Sequence, residues 1–445
     1  MRKVLIISYH YPPSGAVGGV RPSKFARYLP QLGWESTVLT IDTKKPLEMS
    51  EMAPEVSRVL EWPHPLKAYE QFKLKQYARQ DKVDDLIRKW TVSYDVISQS
   101  SRRRGVGELK RWLMAFLWLP DREVGWLMPA IVRGLHLIKK KRIGYILTTG
   151  PPFSSHLIGL ALKRLTGVRW VADFRDPWSV PHKFACARNT VTDSIESRMI
   201  RAVMKQADHV LSVTTPMTEL AIKDHPDLDP DKFLTLSSGF DALDFAGTGP
   251  VRSIAGPIMF AYFGTFYHGR TPKPFLCALR SLIDEKALKP EDVQVKFVGH
   301  VAIAEGQEVQ EIIRGFDMES FVKVLPAVAR AEALRQSLEA HVLLVLDERH
   351  PLQIPLKLYE AIASGAVVFN IGSKGAVAEL LAKTGRGIAV DYRNLDEIKS
   401  GILECLGRER WRQMWERPDP WNDLEIQHLN FRNLTSQLAG YLEQL

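Results

Sequence analysis

The sequence has few cysteines and no long hydrophobic run, and both shortages exclude classes of protein. Cys186, Cys277 and Cys405 are the only cysteines in 445 residues and form no CxxC pair, which argues against a disulfide framework or zinc module and fits a reducing compartment. The longest candidate membrane stretch, residues 112–119, is far below the ~20 residues that span a bilayer. We therefore expect a cytoplasmic protein, either free or peripheral on the inner face of a membrane.

Nucleotide-binding motifs of the common kinds are also absent. Neither a GxGxxG nor a GxxxxGK[ST] motif follows the first apolar run of either half of the chain, so a nicotinamide-dependent dehydrogenase is the least favoured enzyme class. A net charge of +9 favours polyanionic neighbours, such as an anionic membrane face, nucleic acid or phosphorylated ligands.

What the sequence does contain is a regular alternation of short apolar runs with longer helical patterns, which is typical of βαβ units and parallel sheets. The predicted strands are Val4–Ser8, Ser36–Thr40, Tyr145–Thr149, Trp170–Phe174 and His209–Val213 in the first half, and Ile258–Phe263, Gln294–Val298, Val322–Leu325, Val342–Leu346 and Val367–Ile371 in the second.

The two halves begin alike, with a strand, a glycine-containing loop and a helix start. Between them, residues 244–252 are small and polar with Gly and Pro, which predicts an interdomain linker. The sequence therefore predicts an α/β protein with two Rossmann-like domains facing across a cleft. The first covers residues 1–243 and the second residues 253–423, and an amphipathic helix follows over residues 424–445.

One part of the first half does not alternate. Residues from about 64 to 138 are rich in Lys, Arg and Trp and predict a helical, basic insertion. Within it, Arg102–Leu119 sets a basic run beside Trp112 and Trp118, which is the composition of a helix that lies on an anionic membrane surface. A surface helix packed on its own domain fits the same pattern.

In parallel sheets, ligands bind beyond the carboxyl ends of the strands, where loops and helix N-termini meet. In the first half this rule selects the glycine loop with Gly18 and Gly19, the loop with Ser154 and His156, and the run Asp173-Phe-Arg175-Asp176. Two carboxylates and a guanidinium at one strand end are costly to bury unless they are paired or functional. A structural ion pair is the alternative interpretation.

In the second half the rule selects Gly264-Thr265, followed by Arg270, and the predicted helix that carries Lys357 and Glu360. Lys357 and Glu360 are three residues apart and share a helical face near its N-terminus. A cation is electrostatically disfavoured there unless an anion binds beside it. The alternative is an ordinary exposed ion pair.

Several of these motifs together resemble nucleotide-sugar glycosyltransferases of the GT-B fold, in particular glycosyltransferase family 4. The similar motifs are Tyr11-Pro-Pro…Gly18-Gly19, Ala172-Asp-Phe-Arg-Asp-Pro-Trp178, Ser238-Gly-Phe-Asp241 and Pro355-x-Lys357-x-x-Glu360…Gly365. The sequence departs from the family where Leu352 replaces the first of two glutamates and Ser238 replaces an asparagine.

The resemblance implies transfer of a sugar from a nucleotide diphosphate to a saccharide or lipid-linked saccharide, with retention of configuration, in glycan or polysaccharide biosynthesis. Neither a metal, a cofactor nor a nucleic-acid partner is expected; Asp227-Leu-Asp229 matches a DxD metal motif, but its Pro-rich setting predicts a turn. The implied catalytic residues are Asp173, Asp176, Arg270 and Lys357. The implied donor-binding residues are Gly18, Gly19, Gly264, Thr265, Arg270, Lys357 and Glu360, and the implied acceptor-side residues are Ser154, His156 and Arg175.

Two other functions stay open at this point. A nucleotide-sugar epimerase resembles the same two-domain fold. The missing first glutamate favours a third reading, a non-catalytic protein that binds nucleotide sugars.

Overall fold

The computed structural model describes residues 1–43, 54–65, 67, 116–117, 119–178, 190–253, 255–266, 270–347 and 350–445. These residues form two compact units. Residues up to Ser238, together with Phe431–Leu445, form the first unit, and Gly239–Asn430 form the second.

The first unit is built on a parallel sheet with the strand order β3-β2-β1-β4-β5-β6-β7. All five strands predicted for this half are confirmed, and two short edge-side strands, β3 and β7, were not predicted. Most of the residues in β1 and β5 are buried, which explains their continuous apolar runs. The strands are β1 Arg2–Ile7, β2 Trp34–Ile41, β3 Glu55–Val59, β4 Tyr145–Gly150, β5 Arg169–Phe174, β6 His209–Ser212 and β7 Phe233–Thr235.

Helices connect these strands and cover the sheet. The described helices of the first unit are α1 Val20–Tyr28, α2 Leu127–Lys141, α3 Ser154–Thr166, α4 Thr190–Gln206, α5 Thr215–Asp224 and, from the end of the chain, α13 Phe431–Glu443. Helix α13 buries Leu434, Leu438 and Leu442, four residues apart, and packs on α1, where the rings of Phe25 and Phe431 meet edge to face at 6.1 Å. This last helix is therefore part of the first unit's core.

The second unit has a parallel sheet in the order β12-β9-β8-β13-β14-β15, and its five predicted strands are confirmed. The strands are β8 Ile258–Thr265, β9 Val293–His300, β12 Val322–Leu325, β13 Val342–Asp347, β14 Val367–Gly372 and β15 Gly387–Asp391, with a small hairpin of β10 Ile303–Ala304 and β11 Gln307–Glu308. In each unit the strand order reverses beside the first strand, which is the doubly wound arrangement.

The helices of the second unit lie on both faces of its sheet. They are α6 Lys273–Asp284, α7 Val309–Gly315, α8 Arg330–Ser337, α9 Leu356–Ala363, α10 Ala376–Thr384, α11 Leu395–Cys405 and α12 Arg408–Trp415. One core lies between the sheet and α6 and α11, and another between the sheet and α9 and α10. The prediction of two parallel α/β domains is confirmed.

Residues 244–252, expected to be a linker, pack within the second unit. Phe245 is buried against Trp421. The guanidinium of Arg252 donates hydrogen bonds to the carbonyl oxygens of Ala340 and Ser364, just beyond the C-termini of α8 and α9, where partial negative charge accumulates. The division between the units falls instead at Ser238–Gly239 and Asn430–Phe431.

The expected helical insertion is described only in part. Its end is helical, as α2, whereas residues 68–115, and with them nearly all of Arg102–Leu119, lie outside the described residues. Across the described ranges, the structure contains no helix that is both long enough and apolar enough to cross a membrane.

Candidate functional site

Asp173, at the carboxyl end of β5, is sealed in the first unit. Its carboxylate is 0% exposed and accepts hydrogen bonds from Nε and Nη2 of Arg21, at 3.0 and 2.9 Å, and from the hydroxyl of Thr149 at 2.8 Å. Arg21 also donates to the carbonyl oxygens of Leu236 and Ser237. The structural ion-pair interpretation is thus the one that the geometry favours for Asp173, with a partner that the sequence did not indicate.

Ser154 and His156, expected on the acceptor side, are also fully buried. The Ser154 hydroxyl accepts a hydrogen bond from Trp126 Nε1 at 3.0 Å, and its backbone N–H donates to Asp121 at 2.7 Å. These two hydrogen bonds therefore fix the first turn of α3. Ser154 has no exposed surface through which to meet a ligand.

His156 and Trp170 share one hydroxyl group. Thr148 Oγ1 accepts from Trp170 Nε1 at 2.9 Å and lies 2.8 Å from His156 Nδ1. The imidazole ring is thus fixed in the core through Nδ1. Burial lowers the pKa of His156 to about 3, so the ring is neutral at physiological pH.

Arg175 lies at the carboxyl edge of the same sheet and contacts the glycine loop. Its Nη2 donates to the carbonyl of Pro151, and its backbone N–H donates to that of Gly150 at 2.9 Å. A Cβ atom on Gly18 would lie 2.8 Å from Arg175 Nη1 and 2.9 Å from Cδ2 of His10. The structure therefore brings Gly18 and Arg175 together and adds His10, which the sequence analysis did not single out.

The other residues predicted in this region lie close by. Gly19 packs against the backbone of Tyr11, and a Cβ atom there would lie 3.2 Å from it. The charge of Asp176 offsets part of the lowering that burial imposes on the pKa of Arg175. Four of the predicted residues therefore lie at the carboxyl edge of the first unit's sheet and outside the buried Asp173 ion pair. They are Gly18, Gly19, Arg175 and Asp176.

In the second unit the predicted cations gather at the end of β8. Lys357, in the first turn of α9, donates from Nζ to the carbonyl oxygen of Phe263 at 2.9 Å. Burial lowers the pKa of Lys357, the charge of Glu360 opposes that shift, and the charge of Arg270 adds to it. Two cations thus lie beside the N-terminal end of a helix, a place that the helix dipole makes favourable for anions.

Glu360 is held by a second arginine. Arg330 Nη2 donates to Glu360 at 2.5 Å and to Asp244 at 2.9 Å, so one guanidinium bridges two carboxylates. Burial raises the pKa of Glu360, whereas Arg330 opposes that shift. Neither Arg330 nor Asp244 was predicted, because both are distant from Glu360 along the chain.

Gly264 and Thr265 pair closely with Gly299 and His300 at the ends of the parallel strands β8 and β9. Tyr262 Oη donates to the carbonyl of Thr265 at 3.1 Å. A Cβ atom on Gly299, where φ is +133°, would lie 1.9 Å from the carbonyl oxygen of Gly264. Only glycine fits there, and the close approach fixes the backbone beside Lys357.

Over the described ranges, no three His, Cys, Asp or Glu side chains gather as a metal site would require. In the predicted turn, Asp227 pairs with Arg201 and the Asp229 side chain accepts from the N–H of Asp231 at 3.0 Å, so the turn interpretation of this DxD run is confirmed.

Known proteins resemble the chain in sequence and in fold. Residues 18–239 match the family model of the glycosyl transferase 4-like domain. No curated protein sequence matches the chain significantly.

Solved structures match over its whole length. Sucrose-phosphate synthase of Thermosynechococcus elongatus has a TM-score of 0.64 at 15% identity, covering 100% of this chain and 99% of that one. HepE of Anabaena, solved with UDP-glucose, has a TM-score of 0.61 at 13% identity, with 100% of both chains covered. WaaG, a glycosyltransferase involved in lipopolysaccharide biosynthesis, has a TM-score of 0.58 at 13% identity, covering 98% and 99%.

The family match includes Gly18, Gly19 and both residues of the buried ion pair, Arg21 and Asp173, and each unit has a doubly wound parallel sheet. Residues 18–239 therefore form a glycosyl transferase 4-like domain, and the chain as a whole has the fold of GT-B glycosyltransferases.

Proposed function

We propose that the protein transfers a sugar from a nucleoside diphosphate to a hydroxyl group of a saccharide or lipid-linked saccharide, in glycan or polysaccharide biosynthesis. The observation that carries the proposal is the placement of Lys357 and Arg270 beside the first turn of α9 and the end of β8. HepE, of the same fold, was solved with UDP-glucose, and a uridine diphosphate sugar is the first donor to test.

In this proposal the second unit binds the donor. Lys357, Arg270 and the N–H groups at the start of α9 neutralise the charge that develops on the departing diphosphate, which is preorganised electrostatic stabilisation. Gly264 and Thr265 let the backbone approach the phosphates. Helix N-termini bind such anions through unsatisfied N–H groups and the helix dipole.

Glu360 binds the ribose hydroxyls through its carboxylate, and Arg330 holds that carboxylate in place. Because Glu360 is committed to Arg330, it is poorly suited to attack the sugar. We therefore propose that the retention implied by the family resemblance proceeds without a covalent enzyme intermediate, and that the acceptor hydroxyl approaches from the side of the leaving phosphate and gives its proton to it.

The first unit binds the acceptor at the carboxyl edge near Arg175 and Asp176. Gly18 and Gly19, which the family resemblance assigns to the donor, are placed on the acceptor side in this proposal because Gly18 lies against Arg175. Asp173 acts in this scheme as a positioning residue, since its ion pair with Arg21 fixes the strand end that carries Arg175. No metal or cofactor is part of the proposed reaction. The side chains of Lys357 and Arg270 supply the positive charge beside the diphosphate.

The test is a survey of uridine and guanosine diphosphate sugars with methyl glycosides, n-octyl glycosides and a lipid extract as acceptors. The proposal predicts acceptor-dependent release of the nucleotide and a product of retained anomeric configuration. Epimerised sugar formed without acceptor would identify an epimerase, and binding without turnover of any pair would identify a non-catalytic binding protein.

Peripheral docking on a membrane is a separate part of the proposal. Arg102–Leu119 carries five cations (Arg102, Arg103, Arg104, Lys110 and Arg111), one acid (Glu108) and two tryptophans, and each cation near an anionic leaflet contributes about 1 kcal/mol. The protein should co-sediment with anionic vesicles at low salt, and replacement of the three consecutive arginines by glutamine should release it. Wild-type protein that stays in the supernatant would contradict docking.

A further inference from the structure

His10 follows β1 directly and lies at the carboxyl edge of the first unit's sheet. Its ring meets the ring of Tyr9 edge to face at 5.0 Å, and its Cδ2 atom lies against Gly18. The absence of a side chain on Gly18 leaves space that His10 and the guanidinium of Arg175 share. The ring is therefore held in a defined place by its neighbours.

The ring nitrogens of His10 are not used by the protein itself. The backbone carbonyl of His10 accepts from Ser8 Oγ at 2.7 Å, but within the described ranges neither Nδ1 nor Nε2 has a hydrogen-bond partner. The side chain is only partly buried. A polar ring that is held by packing, with both nitrogens unused and part of its surface open, is arranged to bind something else.

Burial and the surrounding positive charges keep the His10 ring neutral. Burial lowers the pKa of His10 to about 4, and the positive charges of Arg175, Lys67 and Arg122 contribute to that shift. Lys67 is itself paired with Glu61, and Arg122 with Glu123. A neutral imidazole has one nitrogen with a free lone pair, so His10 can accept a hydrogen bond at physiological pH.

We propose that His10 is an acceptor-binding residue, in which one ring nitrogen accepts a hydrogen bond from the attacking hydroxyl group of the acceptor sugar; this rests on the proposed function. Arg175, whose Nη1 borders the same space beside Gly18, donates to a neighbouring oxygen of the same sugar. His10 and Arg175 thus orient two adjacent oxygens of one sugar.

The ligand chemistry follows from what a neutral histidine can do. A diphosphate offers only acceptor oxygens, and a neutral imidazole beside it has one donor and one repelled lone pair. A sugar hydroxyl offers a proton to that lone pair. With its pKa near 4, His10 is a poor general base at neutral pH, so its part is to orient the hydroxyl rather than to remove its proton.

The experiment uses the full chain with 15N-labelled histidine. Long-range 1H–15N spectra report the ring nitrogens, and the His10 signals are those missing in a His10→Leu variant. The probes are methyl and n-octyl glycosides, with UDP alone as the donor-site probe. His209 is the matched control, because it is also partly buried and its pKa is also lowered. It is the first residue of β6 and so lies at the amino ends of the strands of the same sheet.

We expect the glycosides to shift the His10 signals and to leave those of His209 in place, whereas UDP should move neither. In kinetics, His10→Leu should raise the KM for acceptor by about tenfold, the effect of one lost hydrogen bond, and leave the affinity for UDP unchanged. His10→Gln, which keeps an acceptor oxygen, should recover part of the loss, and His209→Leu should behave as wild type.

If glycosides shift the His10 signals while no donor supports transfer, His10 binds a saccharide but the proposed function is wrong. If transfer occurs but the His10 signals do not move and His10→Leu keeps the wild-type KM, the role of His10 is wrong.

Discussion

The carboxylate of Asp173 and the guanidinium of Arg21 form an ion pair that is almost completely withdrawn from water, with side-chain exposures of 0% and 3%. Each also has a neutral partner, Thr149 for the acid and the carbonyls of Leu236 and Ser237 for the base. The pair therefore ties the start of α1 to the ends of β5 and β7.

Asp173→Asn should destabilise the first unit strongly, because it leaves the Arg21 charge buried without a countercharge. The loss expected for one partner of a buried pair is about 3–5 kcal/mol, measured by urea unfolding. Asp227→Asn, which breaks the solvent-exposed pair with Arg201, is the control and should leave the free energy of unfolding nearly unchanged. Equal effects of the two variants would mean that the buried pair contributes no more than a surface one.

Gly18→Ala should impair acceptor use, because the new methyl group would displace Arg175 and His10. Gly15→Ala in the same loop is the matched control, since no atom lies within 4 Å of its added Cβ. Acceptor KM is the measurement, and a rise confined to Gly18→Ala is expected. A rise of the same size in both variants would point to loop stiffness instead of contact with the two side chains.

Acid should destabilise the first unit through His156. Because its pKa in the folded protein is about 3, below the ordinary 6.5, the unfolded chain takes up a proton first as the pH falls. The contribution of the neutral His156 ring to the free energy of unfolding is thus fully present above about pH 6.5. It is lost as the pH falls further, by about 2 kcal/mol between pH 7 and 5.

The check is urea unfolding at pH 7, 6 and 5 for wild type and His156→Gln. Between pH 7 and pH 5, the His156→Gln variant, which has no titrating ring at this position, should lose about 2 kcal/mol less stability than wild type. His136→Gln, at an exposed histidine, serves as the control and should follow the wild-type pH dependence. A His156→Gln curve parallel to wild type would exclude this histidine as the titrating group.

Lys357→Met should weaken binding of UDP by roughly 10- to 100-fold, since a charged hydrogen bond to phosphate contributes about 1.5–3 kcal/mol. Lys357→Arg should recover only part, because a planar guanidinium does not replace a compact ammonium group. Lys273→Met removes a cation from the first turn of another helix of the same unit, where Lys273 pairs with Glu305, and should bind UDP as wild type does. Calorimetry on the full chain measures the affinity of each variant for UDP. If Lys357→Met binds UDP as tightly as wild type does, the donor does not bind at this helix.

The sequence predicts the buried strands well because β1, β8 and β14 are continuous apolar runs. It does not predict β3 or β15, since partial exposure breaks the pattern of edge strands such as β15. The rule that ligands bind at the carboxyl ends of parallel strands locates the loops of the candidate site. It does not predict which side chains in those loops form ion pairs with each other. Arg21 lies 152 residues from Asp173, and Arg330 lies 30 residues from Glu360. His10 has no motif of its own, and only its contact with Gly18 reveals it.

The central claim is that this chain moves a sugar from a nucleotide to another hydroxyl group by means of the cations at α9. The most direct measurement follows radiolabelled sugar from the nucleotide sugars into glycoside and lipid acceptors, with wild type and Lys357→Met side by side. The account predicts label in the acceptor with wild type and a loss of at least about tenfold with the variant. Label that stays on the nucleotide or passes only to water with every donor and acceptor, or equal transfer by both proteins, would contradict it.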